Sequence, residues 1–147
     1  MPHVECSALV HADVEKLFAV ARDIERYPEF MPDVKSVRIV ERDGGRVVSD
    51  WVSLISEFRI EVKWSEEDVW DDVAHTCRFR QLKGDFQQYE GIWHFEPTPD
   101  GTQMRMEIEY RYDVPLIGPL LKALVARLMK QNMEAILAAL KKQAEGA

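Results

Sequence analysis

The chain has 147 residues, 46% of them apolar and 31% charged, which suits one globular domain that buries a core without disulfide staples. Its formal net charge of −7 makes the electrostatic term for a phosphate backbone repulsive, so no nucleic-acid partner is expected. No apolar run approaches the ~18 residues of a membrane span and the first residues carry no leader pattern, so a cytoplasmic protein without stable membrane insertion is expected.

His3 to Val10 sets Val4, Cys6 and Ala8 against Glu5 and Ser7, the alternation of a half-buried strand. Asp13 is placed to cap a short helix whose Val14, Leu17, Phe18 and Ala21 share one face. A second, shorter helical piece follows between Asp23 and Asp33. It is interrupted at Tyr27-Pro28, because proline disfavours helix in the residue before it.

From Val34 the period drops to two. Val34–Arg42 and Arg46–Ile55 flank Asp43-Gly44-Gly45 and read as a hairpin. In the second of these strands Trp51 is taken as inward, since the opposite parity buries the carboxylate of Asp50. Phe58–Trp64 places Phe58, Ile60, Val62 and Trp64 on one face. The acids beyond it, Glu66, Glu67 and Asp68, then Asp71 and Asp72, read as solvated charge at a strand end and turn. Strands over Ala74–Leu82, Phe86–Glu96 and Thr102–Val114 complete the run, the last with Met104, Met106, Ile108, Tyr110 and Tyr112 on one face. Cys6 and Cys77 lie on different predicted strands, without metal or redox spacing, and are expected as free thiols.

The final segment carries Leu120, Leu121, Leu124, Val125, Leu128, Met129, Met133, Ile136, Leu137 and Leu140 at spacings of three and four, an amphipathic helix roughly 39 Å long. Gly118 serves as a permissive N-cap and Pro119 as the first helical residue. The fold class is therefore α+β. A strongly bent seven-stranded antiparallel sheet, charged on one face, is covered on the other by the long C-terminal helix. Where helix and sheet fail to meet, a cavity remains.

Inward parity nominates Trp51, Phe79, Gln81, Tyr89, Trp93 and Tyr110 from the strands and Leu124, Leu128 and Asn132 from the helix as ligand-binding residues. This is an apolar wall with a few polar tips. Gln81 and Asn132 stand out, because a buried amide without a partner costs roughly 1–3 kcal/mol. No Arg, His or Glu is read on the inward faces, so no catalytic residue is assigned. His3, His11, His75 and His94 are scattered, so neither a metal site nor a cofactor is expected.

Three stretches, Asp23-Ile-Glu-Arg-Tyr-Pro-Glu-Phe-Met-Pro-Asp-Val-Lys-Ser-Val, Gly84-Asp-Phe-Gln-Gln-Tyr-Glu-Gly-Ile-Trp-His-Phe and Tyr112-Asp-Val-Pro-Leu-Ile-Gly-Pro-Leu-Leu, carry a likeness to a known family. The chain resembles the START-like, helix-grip (SRPBCC) superfamily and, within it, the polyketide cyclase/dehydrase group that includes coenzyme Q-binding START-domain proteins. The likeness spans the whole chain, residues 1–147, as a single START-like domain. It implies a helix-grip fold with two short helices between the first two strands. It also implies a pocket for a lipid, isoprenoid quinone or polyketide-like molecule, reached near Tyr27 to Pro32. Non-enzymatic binding or transport of such a hydrophobic small molecule is the expected function, by a monomer or weak homodimer. A polyketide aromatase/cyclase is the alternative, and a ribosome-associating interaction module a further one.

Overall fold

The computed structural model describes residues 3–55, 59–111 and 119–146, with side chains of the last segment described from residue 123. The expected cap at Gly118, the alternation members Phe58 and Tyr112, and the approach to the helix between them lie outside the described residues.

The elements are β1 (His3–Val10), α1 (Val14–Arg22), a 3-10 turn (Ile24–Arg26), α2 (Tyr27–Phe30), β2 (Val34–Asp43), β3 (Arg46–Ile55), β4 (Ile60–Asp71), β5 (Thr76–Gly84), β6 (Gln88–Thr98), β7 (Gly101–Arg111) and α3 (Pro119–Glu145). Local chemistry sets the boundaries. The Asp13 side chain accepts from the backbone N–H of Lys16 at 2.9 Å and caps α1. Pro28 sits in the first turn of α2 rather than ending a helix, because a first-turn residue needs no N–H. Gly44 takes φ +58°, as the β2–β3 turn requires.

The seven strands form one antiparallel sheet in the order β1-β7-β6-β5-β4-β3-β2. β2 to β7 meander, and β1 returns to pair with β7, so α1, the 3-10 turn and α2 bridge from one sheet edge to the other. Register breaks in β2–β3, and between Ser65 and Glu66 in β4–β5, insert bulges that add local twist and bend. This is a helix-grip α+β fold.

α3 is tied along β1. Lys130 Nζ donates to the Glu5 carbonyl at 3.0 Å, Lys141 Nζ to the Leu9 carbonyl at 2.7 Å, and the His11 N–H to Glu145 Oε2 at 2.7 Å. Burial along the helix is graded. Met133, Leu137, Leu140 and Ala144 are fully packed and Leu128 is buried, whereas Leu124, Val125 and Met129 are half-buried. Among the described side chains, the C-terminal part of the helix is therefore the more tightly packed. No described helix is long and apolar enough to cross a membrane.

This gradient is testable by thermal or denaturant unfolding. Leu140→Ala, at a site with 0% exposure, is expected to cost about 2–5 kcal/mol. Leu124→Ala is expected to cost under about 1 kcal/mol, and equal losses would contradict the gradient.

Candidate functional site

The concave face of the sheet and α3 enclose a cavity of about 50 Å³. Each strand from β2 to β7 contributes to its wall: Val34; Trp51 and Ser53; Trp64, Glu66, Asp68 and Trp70; Cys77 and Phe79; Tyr89 and Trp93; and Met106. Ile24 and Tyr27 close one side, and Asn132 and Ile136, one turn apart on α3, close another.

The wall is chiefly aromatic, and the rings brace one another. Trp51 and Trp64, cross-strand partners in β3 and β4, stack at 5.7 Å with 9° between planes. Tyr27 meets Trp51 edge-on at 5.7 Å, and Tyr89 tilts against Trp64 at 5.4 Å and against Phe79 at 5.5 Å. Gly91 lets Phe79 lie close to β6, since a Cβ there would collide with the Glu107 carbonyl oxygen and come within 2.7 Å of the Phe79 ring. The Tyr27 hydroxyl donates to the Ala21 carbonyl, and burial raises its pKa well above the usual tyrosine value.

The nominated residues divide. Trp51, Phe79, Tyr89, Trp93 and Asn132 come together on the cavity wall. Gln81 does not line it. Its amide donates to the Phe86 carbonyl at 2.8 Å and accepts from the Phe86 N–H at 3.2 Å, so its hydrogen-bonding capacity braces the β5–β6 connection. Tyr110 is buried on β7 beside Tyr89, away from the cavity, and Met106 takes the wall position instead. Leu124 and Leu128 lie one to two turns too far toward the start of α3, and Asn132 and Ile136 do the lining.

The acids of β4 depart most from expectation. They do not sit at a strand end: the strand runs on to Asp71, and its alternation carries Val62, Trp64, Glu66, Asp68 and Trp70 inward together. Glu66 is 6% exposed and Asp68 3%. The inward faces thus hold two carboxyls, correcting the reading that they hold no acid or base. Continuing the alternation past Trp64 finds them. Glu67, between them, points outward and is paired with Arg46 and, at 3.0 Å, with Arg80, which lowers its pKa.

Glu66 Oε1 accepts from the Trp64 indole N–H at 2.7 Å, and the carboxyls of Glu66 and Asp68 are hydrogen-bonded to each other. Burial raises both pKa values. The bond between the two carboxyls favours ionised Glu66 and protonated Asp68, and the nearby Glu66 charge adds to the rise at Asp68. The two carboxyls therefore titrate as a coupled pair, with protonation favoured to higher pH than for exposed carboxylates. Asp68 Oδ1 and Trp70 Nε1 are buried and have no hydrogen-bond partner among the described residues. Cys77, a free thiol, also lines the cavity, and burial pushes its pKa far up, leaving it unreactive. A wider depression of about 600 Å³ on the outer sheet face involves His3, Glu67, Arg80 and Glu107. Its charges are exposed or ion-paired, so the aromatic cavity, the more enclosed of the two, is the better candidate site.

The buried pair has a consequence for stability. Both folded-state pKa values are raised, so the fold is favoured below the unfolded carboxylate range, and this contribution is lost as pH rises toward the folded values. Asp68→Asn keeps a donor to Glu66 and removes one ionisation. Its stability relative to the parent chain is expected to improve from pH 4 upward, by at most about 1.4 kcal/mol per pH unit. Unfolding curves at about pH 4 and pH 8 measure this, and a difference independent of pH would contradict the raised pKa of Asp68.

Comparison with known proteins agrees with this architecture. The family described as "Polyketide cyclase / dehydrase and lipid transport" matches residues 10–137. The crystal structure of TTHA0849 from Thermus thermophilus is 34% identical, with a TM-score of 0.91 over 97% of each chain. That of the Zhui aromatase/cyclase from Streptomyces sp. R1128 is 19% identical, with a TM-score of 0.89 over 98% of this chain and 93% of that one. Among sequence relatives, the ribosome association toxin RatA of Pseudomonas aeruginosa is 22% identical over 88% of this chain and 85% of its own length. The chain belongs to the polyketide cyclase/dehydrase and lipid transport family.

Proposed function

We propose that the chain binds a hydrophobic small molecule in the cavity between sheet and α3, with the polar end of that molecule toward β4. The supporting observation is the wall itself, an aromatic enclosure around polar atoms that have no protein partner among the described residues. Lipids, isoprenoid quinones and polyketide-like molecules all combine an apolar body with a polar end. At about 50 Å³ the cavity is well below the ~300 Å³ of the smallest pockets that enclose drug-sized ligands. It holds a small head group as it stands. A larger ligand needs the wall to open, and Leu124, Val125 and Met129 are the half-buried apolar residues of α3 nearest its start among those described.

A second reading, cyclisation or dehydration of a polyketide, is supported by one specific observation, the buried Glu66–Asp68 carboxyl pair on the cavity wall, with both pKa values raised. In this reading Glu66 takes a proton from carbon beside a carbonyl. Asp68 gives its proton to the departing hydroxyl, which leaves as water, and the pair ends with one proton as it began. The ribosome-associating alternative rests on relatives such as RatA, and the net charge of −7 weighs against it.

All four tryptophans line the cavity, so intrinsic fluorescence reports on it selectively. Titration with a short-chain quinone, decanoic acid and naphthalene is expected to give a saturable change with at least one of them, and Ile136→Phe, which fills the cavity, to weaken it. No saturable change, together with no bound apolar molecule in native mass spectra of gently purified protein, would count against binding. For the cyclase reading, Glu66→Gln is expected to lower turnover of an aromatic-polyketide precursor by about 100-fold or more. Equal turnover would exclude Glu66 as the base.

A further inference from the structure

Two of the four cavity tryptophans share a pattern that a third, Trp70, breaks. The Trp51 indole N–H donates to Ser49 Oγ at 2.8 Å, and that of Trp64 to Glu66 Oε1 at 2.7 Å, each a side chain two residues away on the same face of its strand. Trp70 has the same relation to Asp68, yet the two are not hydrogen-bonded, and Trp70 Nε1 and Asp68 Oδ1 are both left over. Trp70 is 7% exposed and Asp68 3%, and both line the cavity. What remains is one indole N–H donor and one carboxyl oxygen able to accept, two residues apart on one strand face.

We infer that Trp70 Nε1 and Asp68 Oδ1 form a recognition site for a ligand hydroxyl group, a phenol or alcohol on an apolar body. A hydroxyl has the two functions the site lacks: its O–H donates to Asp68 Oδ1 while its oxygen accepts from Trp70 N–H. A bare carbonyl or ether serves Trp70 alone and an ammonium serves Asp68 alone. A methyl group strands both, and a buried polar group left unpaired is penalised strongly. Water can serve both atoms in the free protein, so a hydroxylated ligand exchanges one such partner for another while it buries its ring against Tyr27, Phe79 and Trp93. The inference rests on the hydrophobic-ligand reading above and deepens it by naming the polar group selected.

Phenol and toluene differ only by hydroxyl for methyl and match in size, so both demand the same opening of the cavity of about 50 Å³. Toluene gains more on leaving water, so a plain apolar cavity prefers toluene. This site is expected to prefer phenol by about tenfold or more, read as dissociation constants from tryptophan fluorescence. Phenol is also expected to shift the indole N–H proton resonance of Trp70, assigned by its loss in Trp70→Phe. In Trp70→Phe and Asp68→Leu the preference is expected to fall away or reverse while toluene still binds. Toluene binding as tightly as phenol to the unaltered chain would overturn the hydroxyl site and leave the hydrophobic-ligand reading standing. Binding of neither compound would overturn the hydroxyl site, and the quinone and fatty-acid titrations would then decide the broader reading. The comparison on the unaltered chain decides the matter even if a variant fails to fold.

Discussion

Side chains alternate strictly along a strand, so β4 cannot present Trp64 and Trp70 to the interior without also presenting Glu66 and Asp68. Shifting the strand by one residue would expose the acids and bury Lys63, Glu67 and Val69 instead, stranding two large indoles in water. The apolar gain from Val62, Trp64 and Trp70 therefore fixes the register. Given that register, two carboxyls sit in an apolar enclosure with no cation paired to them among the described residues. Burial raises both pKa values, and the indole N–H of Trp64, rather than an arginine, is what Glu66 Oε1 accepts from.

The electrostatic contrast within three consecutive residues follows from the same geometry. Glu67 projects to the outer face, meets Arg46 and Arg80 in a solvated ion-pair cluster, and ionises easily. Its neighbours face inward and hold their protons more tightly. Orientation, not residue type, separates a surface charge from a site that can move a proton. The bulge in β4–β5 falls beside Glu66, where it adds twist and bend next to the cavity wall.

Much of this architecture is legible in the sequence, because periodicity is a local property. The period-two segments, the Gly44 turn, the Asp13 cap and the three-and-four spacing of α3 report on their own backbone. The inward facing of Trp51 also follows from local reasoning, and its indole meets Ser49 on the same face. The acid pair escapes for a different reason. Charge reads as a signal of solvent and so ends the predicted strand early, although the alternation continues unbroken to Trp70. The misplacement of Gln81, Leu124 and Leu128 is tertiary in origin. Gln81 is satisfied by a main chain five residues on, and nothing in a helix's own spacing tells which of its turns will face a gap in the sheet.

The Glu66–Asp68 pair is hard to explain as a contribution to stability. Buried ionisable groups replaced by well-packed apolar residues are often neutral or stabilising, by about 1–4 kcal/mol, and an unpaired acceptor and donor at Asp68 and Trp70 add to the cost. A core selected for packing alone would place a leucine or methionine at position 68, as β7 places Met104, Met106 and Ile108 on its inward face. Fold specificity is a weak alternative, because the flanking indoles already fix the register. The arrangement is better understood as a polar centre maintained for something that enters the cavity. Its unmet hydrogen bonds then have a direction: they favour a partner that both gives and receives one, held against rings that exclude bulk water.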